Sequence, residues 1–202
     1  MIMIKNIFCV LLLLFCLCTV VLGQVSGVDS IAPVYVGGKL PKVLFDTKSK
    51  MLIDGVLSEV SLARDFDKLI LIDFWASWCG SCLKKFPMLE KIQKQFPDDL
   101  KVLLVNSVGT GDSASSLMQK VRMGAAAGAV GGIRLPLVVE DKMFLNAFPH
   151  RALPHYVWIV GGVVLGITQS DFLTEENVAV MVERGRKHMM IVNKQKARGA
   201  KD

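Results

Sequence analysis

The sequence predicts one α/β domain with a mixed β-sheet and helices on both faces. Buried-strand runs alternate with helical patterns in the middle of the chain, and a strand hairpin and a last helix follow. The chain has 202 residues, of which 52% are hydrophobic and 21% charged. That length suits one domain with a full hydrophobic core and is too short for two such domains.

The first residues have the pattern of an export leader. Lys5 precedes an uncharged apolar run over residues 7–22, and Val21 and Gly23 place small residues where a signal peptidase cleaves. The run falls short of the roughly 18 residues expected of a spanning helix. We therefore predict a signal peptide at residues 1–23, with a retained N-terminal membrane anchor as the alternative.

Cleavage of this leader would leave two of the five cysteines. Cys9, Cys16 and Cys18 lie within the leader, and only Cys79 and Cys82 follow it. A C-x-x-C pair closes too small a loop to hold a fold together, so a structural disulfide scaffold is excluded. Redox chemistry or metal binding remains.

The segment after the leader carries weak structural signals. Residues 24–60 read as turn-rich, with short strand candidates at 34–36 and 43–45. Residues 69–75 are apolar except for Asp73, which predicts a central strand buried on both faces.

Apolar residues then recur at helical spacing over 81–96, which predicts one helix kinked at Pro87. The remaining predicted elements are a strand at 101–108, a helix capped by Asp112 and running to about 123, a small-residue loop at 124–132, a strand at 133–139, a short helix at 141–148, a hairpin of strands 156–160 and 163–168 around Gly161 and Gly162, and a helix at 174–190.

The net charge of +6 is concentrated at the C-terminus. Residues 183–202 carry seven basic and two acidic side chains, a balance of 7 − 2 = +5. We predict a solvated, poorly ordered basic tail at 191–202. Binding to anionic lipid is the alternative; no interleaved aromatic residues support binding to nucleic acid, so no nucleic-acid partner is predicted.

The C-x-x-C pair lies where a buried strand ends and a helix is predicted to begin. Unpaired backbone N–H groups and the helix dipole at such a terminus lower a thiol pKa and favour the thiolate. Cys79 is then the expected attacking thiol and Cys82 the resolving thiol. The alternative is an inert pair of buried thiols.

The segment from Asp73 to Cys82, D-F-W-A-S-W-C-G-S-C, closely resembles the active-site segment of thioredoxin, and the match extends to Pro87. A lone carboxylate in an apolar strand is unfavourable unless it is protonated, hydrated or partnered. The resemblance implies that Asp73 moves protons to and from Cys82. A carboxylate that only bonds a nearby backbone group is the alternative.

The resemblance also implies a peptide-binding site. Leu153 and Pro154 precede a predicted strand, where thioredoxin-fold proteins carry a cis-proline loop facing the cysteines. The backbone at Leu153 would pair with an incoming peptide, and Trp78 would pack beside the mouth of the active site. A trans proline that merely opens the strand is the alternative.

Two rival functions follow from other residues. His150 and His155 could complete a zinc site with Cys79 and Cys82 in a non-catalytic binding module, although such histidines are more often loop residues. A thiol peroxidase of the same fold is the other rival, but a peroxiredoxin-like site needs Thr where Ala76 stands. We predict a catalytic dithiol and no bound metal.

The leader, the Cys segment and an extra segment at about 112–148 together resemble the TlpA/ResA-like exported disulfide reductases of bacteria. The resemblance covers roughly residues 60–190 and implies a thioredoxin-like domain at 24–190 with an insertion before the cis-proline hairpin. It also implies a periplasmic or cell-envelope location, protein disulfides as substrates, no bound cofactor and a membrane-linked electron donor. Ser81 departs from the thioredoxin motif, which has proline there, so the direction of electron flow stays open.

Overall fold

A computed structural model describes residues 31–123 and 132–199 of the chain. The predicted signal peptide at 1–23, nearly all of the predicted loop at 124–132 and the last three residues lie outside these ranges.

The helices and strands follow one another in the order α1 (Val43–Asp46), β1 (Ser49–Ile53), β2 (Val56–Val60), β3 (Leu69–Phe74), α2 (Gly80–Leu83), α3 (Phe86–Gln95), β4 (Leu100–Ser107), α4 (Ala114–Arg122), β5 (Leu137–Asp141), α5 (Met143–Ala147), β6 (His155–Val160), β7 (Val163–Thr168) and α6 (Glu175–Gly199), with a 3-10 turn at Ala63–Asp65 before β3.

Within the described ranges, seven strands form one sheet in the order β2-β1-β5-β4-β3-β6-β7. Strands β3, β4 and β5 are parallel, whereas the pairs β3–β6, β6–β7, β1–β5 and β1–β2 are antiparallel. This is the mixed sheet that the sequence predicts. The central β3 is buried at all six positions, because helices cover both faces of the sheet.

The larger layer of helices covers the face that carries Leu71, Leu104 and Tyr156, which we call the α3–α6 face. Helix α3 contacts β4 and α6, and α6 contacts β3 and β6. Cys82 belongs to the same buried cluster as these side chains. The opposite face is covered by α1 and α5, whose buried residues lie outside that cluster.

The predicted strands at 34–36 and 43–45 are wrong. Residues 43–46 form α1, which buries Leu44 and Phe45, and the first two strands follow it as a hairpin. The hairpin turn is Asp54–Gly55, with φ of 48° and 76°. Asp-Gly is a strong signal for such a turn, because both residues tolerate positive φ.

The single helix predicted over 81–96 is two helices. The chain turns at Lys84 and Lys85, and the Lys85 side chain donates a hydrogen bond to the Leu173 carbonyl (2.9 Å). Pro87 lies in the first turn of α3, where a missing N–H breaks no helical hydrogen bond. The proline therefore starts a helix instead of kinking one.

Two boundaries also differ from prediction. Strand β5 begins at Leu137, four residues later than predicted, and α6 continues to Gly199, where a poorly ordered tail was expected. Met189 is the last buried residue of α6, and the exposed basic turns beyond it extend the same helix. In residues 31–123 and 132–199, no helix has both the length and the apolar character needed to cross a bilayer.

Candidate active site

Cys79 and Cys82 form a disulfide at the end of β3, with their Cα atoms 5.3 Å apart. Cys79 is the N-cap of α2, and its Sγ accepts a hydrogen bond from the backbone N–H of Cys82 (3.3 Å). Cys82 is fully buried, whereas 5% of Cys79 reaches the surface. Only Cys79 is therefore open to attack by a thiol from solvent.

The surroundings of Cys79 differ from the expectation of a long helix. Helix α2 has only four residues, so local backbone donors matter more than a helix dipole at this sulfur. The Ser81 hydroxyl lies 3.5 Å from Cys79 Sγ. The residue that departs from the thioredoxin motif thus contacts the Cys79 sulfur directly.

Asp73 is fully buried near the end of β3. It pairs in register with Tyr156 of β6, whose side chain belongs to the α3–α6 face, as does Cys82. Both carboxylate oxygens lack a hydrogen-bond partner among the described residues. The alternative of a carboxylate bonded to nearby backbone is therefore wrong, and burial raises the pKa of Asp73 well above its usual value.

The Trp75 indole nitrogen and the Tyr156 hydroxyl, both in the buried cluster that contains Cys82, also lack a hydrogen-bond partner among the described residues. Burial, together with the Asp73 carboxyl, raises the pKa of Tyr156. Sequence reasoning missed Tyr156, because a tyrosine in an apolar strand resembles any core residue. The antiparallel register of β3 and β6 places it opposite Asp73.

The Leu153–Pro154 peptide bond is cis, so the alternative of a trans proline is wrong. Pro154 is buried and Leu153 is partly exposed, packed against the same core cluster as the two cysteines. Strand β6 begins at the next residue and pairs with β3. The disulfide follows the end of β3 and the proline loop precedes the start of β6, and these two strand ends pair with each other.

Trp78 is an exposed indole directly before the disulfide, with 66% of its surface accessible. Its Nε1 donates a hydrogen bond to the Thr110 carbonyl in the β4–α4 loop (2.7 Å). The loop between β4 and α4 thus holds the ring of the residue that directly precedes Cys79.

The sequence predicts Asp112 as the N-cap of α4, and this prediction is wrong. Ser113 caps it, in a reciprocal capping box with Ser116. The Asp112 carboxylate instead accepts hydrogen bonds from the backbone N–H and the hydroxyl of Ser77, two residues before Cys79. Burial would raise the pKa of Asp112, but these bonds outweigh it and lower the pKa.

His150 and His155 stack, with ring centroids 4.8 Å apart and planes 10° from parallel. His150 also packs on Phe74, which neighbours Asp73 in β3 and points to the other face of the sheet. Burial, with a contribution from His150, lowers the pKa of His155 to about 4. Among the residues that the structure describes, no three His, Cys, Asp or Glu side chains form a group able to hold a metal ion.

Comparison with known proteins gives partial sequence matches. The family model described as Thioredoxin matches residues 59–122. The thioredoxin-like protein YneN of Bacillus subtilis (strain 168) is 35% identical over 80 residues, which is 40% of this chain and 42% of that protein. The chain spans about half or less of the length of the first curated relatives, with 42%, 52% and 38% covered.

Solved structures match over more of the chain. A reduced 2-Cys peroxiredoxin of Plasmodium vivax has a TM-score of 0.59 at 19% identity, covering 77% of this chain and 98% of that one. The exposed lipoprotein thioredoxin Etrx1 of Streptococcus pneumoniae has a TM-score of 0.54 at 22% identity (67% and 98%). The thioredoxin domain of a thiol-disulfide oxidoreductase from Bacteroides vulgatus has a TM-score of 0.52 at 19% identity (73% and 96%). At these identities the likeness concerns the fold alone.

Proposed function

We propose that this chain is an exported thiol:disulfide oxidoreductase of the thioredoxin-like superfamily, which reduces protein disulfides through Cys79 and Cys82. The observation that carries the proposal is the Cys79–Cys82 disulfide at the end of the strand that also holds the buried, unpartnered Asp73. An acid without a partner on the same side of the sheet as a fully buried cysteine suits proton transfer to a thiol.

The reaction begins with the reduced dithiol. The Cys79 thiolate attacks one sulfur of a client disulfide, a mixed disulfide forms, and the other client sulfur leaves as a thiolate. The Cys82 thiolate then attacks Cys79 Sγ, the bond to the client breaks, and the second client sulfur leaves. Two electrons pass from the protein to the client, and the Cys79–Cys82 disulfide is the oxidised product.

Asp73 handles the proton of the buried thiol in this scheme. Cys82 is fully buried, so its thiol needs a nearby base when it attacks Cys79. The carboxylate takes that proton and returns it to Cys82 when the disulfide is next reduced. Burial raises the pKa of Asp73 well above its usual value, which makes its carboxylate a stronger base for that proton.

A client would bind across the proline loop. Leu153, the partly exposed residue before the cis-proline, is where an extended peptide would pair as an added strand. The exposed Trp78 ring would contact the same client from the other side of the disulfide. Pro154 has no N–H to compete for that pairing.

The compartment and the electron donor follow from the same proposal. The leader-like residues 1–23 support export to the periplasm or cell envelope, and one structural relative is named an exposed lipoprotein. A reductase in an oxidising compartment needs an outside source of electrons. Cys79 and Cys82 are the only cysteines after residue 23. We therefore propose a membrane-linked dithiol protein as the donor.

The test is the equilibrium reduction potential of the full-length protein, measured by alkylation trapping and intact mass across thiol buffers, with Cys79→Ser as the control. A reversible two-electron couple nearer −270 mV than −120 mV is expected, since these are about the values of thioredoxin and DsbA. A couple near −120 mV would indicate an oxidant or isomerase. A pair with no couple, releasing a metal with its thiols, would indicate a zinc-binding module.

A further inference from the structure

The turn before Cys79 is tied to the β4–α4 loop by a network of polar side chains that are buried or partly buried. The Asp112 carboxylate, 5% exposed, accepts bonds from Ser77 N (2.8 Å) and Ser77 Oγ (2.5 Å). The Lys120 ammonium of α4 donates to the same hydroxyl (2.8 Å) and lies 3.7 Å from the carboxylate. Both polar groups of Ser77 that face this loop are therefore occupied.

Asn106, at the end of β4, extends the network to both sides of the turn. Its fully buried amide donates to Asp112 Oδ2 (2.8 Å) and to the Trp75 carbonyl (3.3 Å). The Asn106 oxygen accepts from the hydroxyl of Thr110 (3.1 Å), the residue whose carbonyl holds the Trp78 indole. The contacts thus continue without a gap from Asp112 to Trp78.

Apolar packing could also hold this loop, but the buried Asp112 carboxylate holds it through directional hydrogen bonds. Hydrogen bonds to a charged acceptor are shorter, stronger and more directional than neutral ones. They fix the Ser77 backbone and, through Asn106 and Thr110, the Trp78 ring, although Trp78 keeps 66% of its surface exposed. An exposed aromatic ring held still in the free protein loses little freedom when a partner binds.

We propose that Asp112 is a positioning residue, which through Ser77 and Thr110 holds Trp78 ready for protein disulfides. The proposal rests on the proposed function, because Trp78 is taken to contact the client. A small disulfide needs only the exposed sulfur of Cys79 and not the indole. The network therefore favours large clients over small ones without changing the chemistry of the two cysteines.

The experiment compares two substrates of the full-length protein: insulin, a protein disulfide turned over with dithiothreitol as the reductant, and Ellman's reagent, a small disulfide reacted once with the reduced protein. The variants are Asp112→Asn and Ser77→Ala, with Ser77→Thr as the variant that keeps the hydroxyl. Asp65→Asn is the matched control, since that carboxylate is also mostly buried and paired with lysines, at the opposite end of β3. Hydrogen exchange of the Trp78 indole N–H, assigned with Trp78→Phe, reports on the network without any activity.

Both disrupting variants should lower kcat/KM for insulin about tenfold, mainly by raising KM, as expected when a buried charged acceptor or its donor is removed. The rate with Ellman's reagent should stay within about twofold. Exchange of the Trp78 indole should accelerate, whereas Ser77→Thr and Asp65→Asn should behave as the wild type does. Equal losses on both substrates, or unchanged indole exchange, would overturn the proposal.

Failure of the proposed function has a different signature. If the wild-type protein shows no reversible couple or leaves insulin intact, the oxidoreductase assignment fails. The indole exchange then decides the positioning role alone: faster exchange in both disrupting variants supports it, and unchanged exchange refutes it.

Discussion

Replacing Asp73 by Asn should stabilise the protein by an amount that grows with pH. The carboxyl is fully buried and has neither a hydrogen bond nor an ion pair among the described residues, so its ionisation is uncompensated. Asn is nearly the same shape and stays neutral. It removes the cost of a buried charge and breaks no hydrogen bond of the wild-type protein.

The size of the effect follows from linkage. Burial raises the folded-state pKa of Asp73 well above the ordinary value for aspartate, so between the two values the folded protein binds more protons than the unfolded chain. The free energy of unfolding of the wild type therefore falls as pH rises through that window. For one group the slope is at most about 1.4 kcal/mol per pH unit, and Asp73→Asn lacks it.

The assay is urea unfolding of the oxidised proteins at intervals from pH 4 to pH 8, with the difference between variant and wild type plotted against pH. Other titrating groups cancel in this difference. His155, with a pKa lowered to about 4, makes both proteins lose stability as the pH falls below 6.5. Asp98→Asn is the control, because that carboxylate is exposed in the turn before β4. A difference that stays flat from pH 4 to pH 8 would refute an unpartnered, uncharged Asp73.

Three further predictions follow from the structure. Reduction of the Cys79–Cys82 disulfide should lower the free energy of unfolding by no more than about 2 kcal/mol, because the bond closes a loop of about four residues, as chemical denaturation with and without reductant will measure. Ser113→Ala should cost about 1 kcal/mol in thermal unfolding, because Ser113 is the N-cap of α4. The imidazole C2 proton of His155 should titrate near pH 4 in NMR spectra, because burial keeps the ring neutral.

Each of these three has its own contradicting outcome. A loss well above 2 kcal/mol on reduction would mean that the disulfide also holds native structure together. Gln119→Ala, at an exposed position later in α4, is the control for Ser113, and equal losses in both would argue against the cap. A His155 midpoint near the ordinary value of about 6.5 would mean that water reaches the ring.

The core elements of the fold were predictable because each carries its pattern locally. The apolar run that becomes the buried strand β3 is visible in the sequence without knowledge of its neighbours, and so is the Gly161-Gly162 pair that forms the turn between β6 and β7. The Cys79–Cys82 disulfide was predictable for the same reason. Helix α1 was not, because Leu44 and Phe45 satisfy a strand pattern as well as one helical turn.

The C-terminal helix shows a different limit. A basic, polar sequence after Met190 resembles a solvated tail, yet α6 continues to Gly199. The buried turns up to Met189 already form a helix, and extending an existing helix is far easier than starting one. Composition predicted the solvent exposure of these residues and missed their conformation.

The sequence by itself determined the reactive centre, because two cysteines three residues apart after a buried strand must lie together wherever the strand lies. It also determined that Asp73 is unusual, since one carboxyl in an apolar run is visible at once. Only the tertiary structure decided what surrounds these groups. Tyr156 faces Asp73 across a sheet register, and Asp112 reaches Ser77 across 35 residues of chain. Such contacts depend on which strands pair and in which register, and those choices minimise the free energy of the whole core.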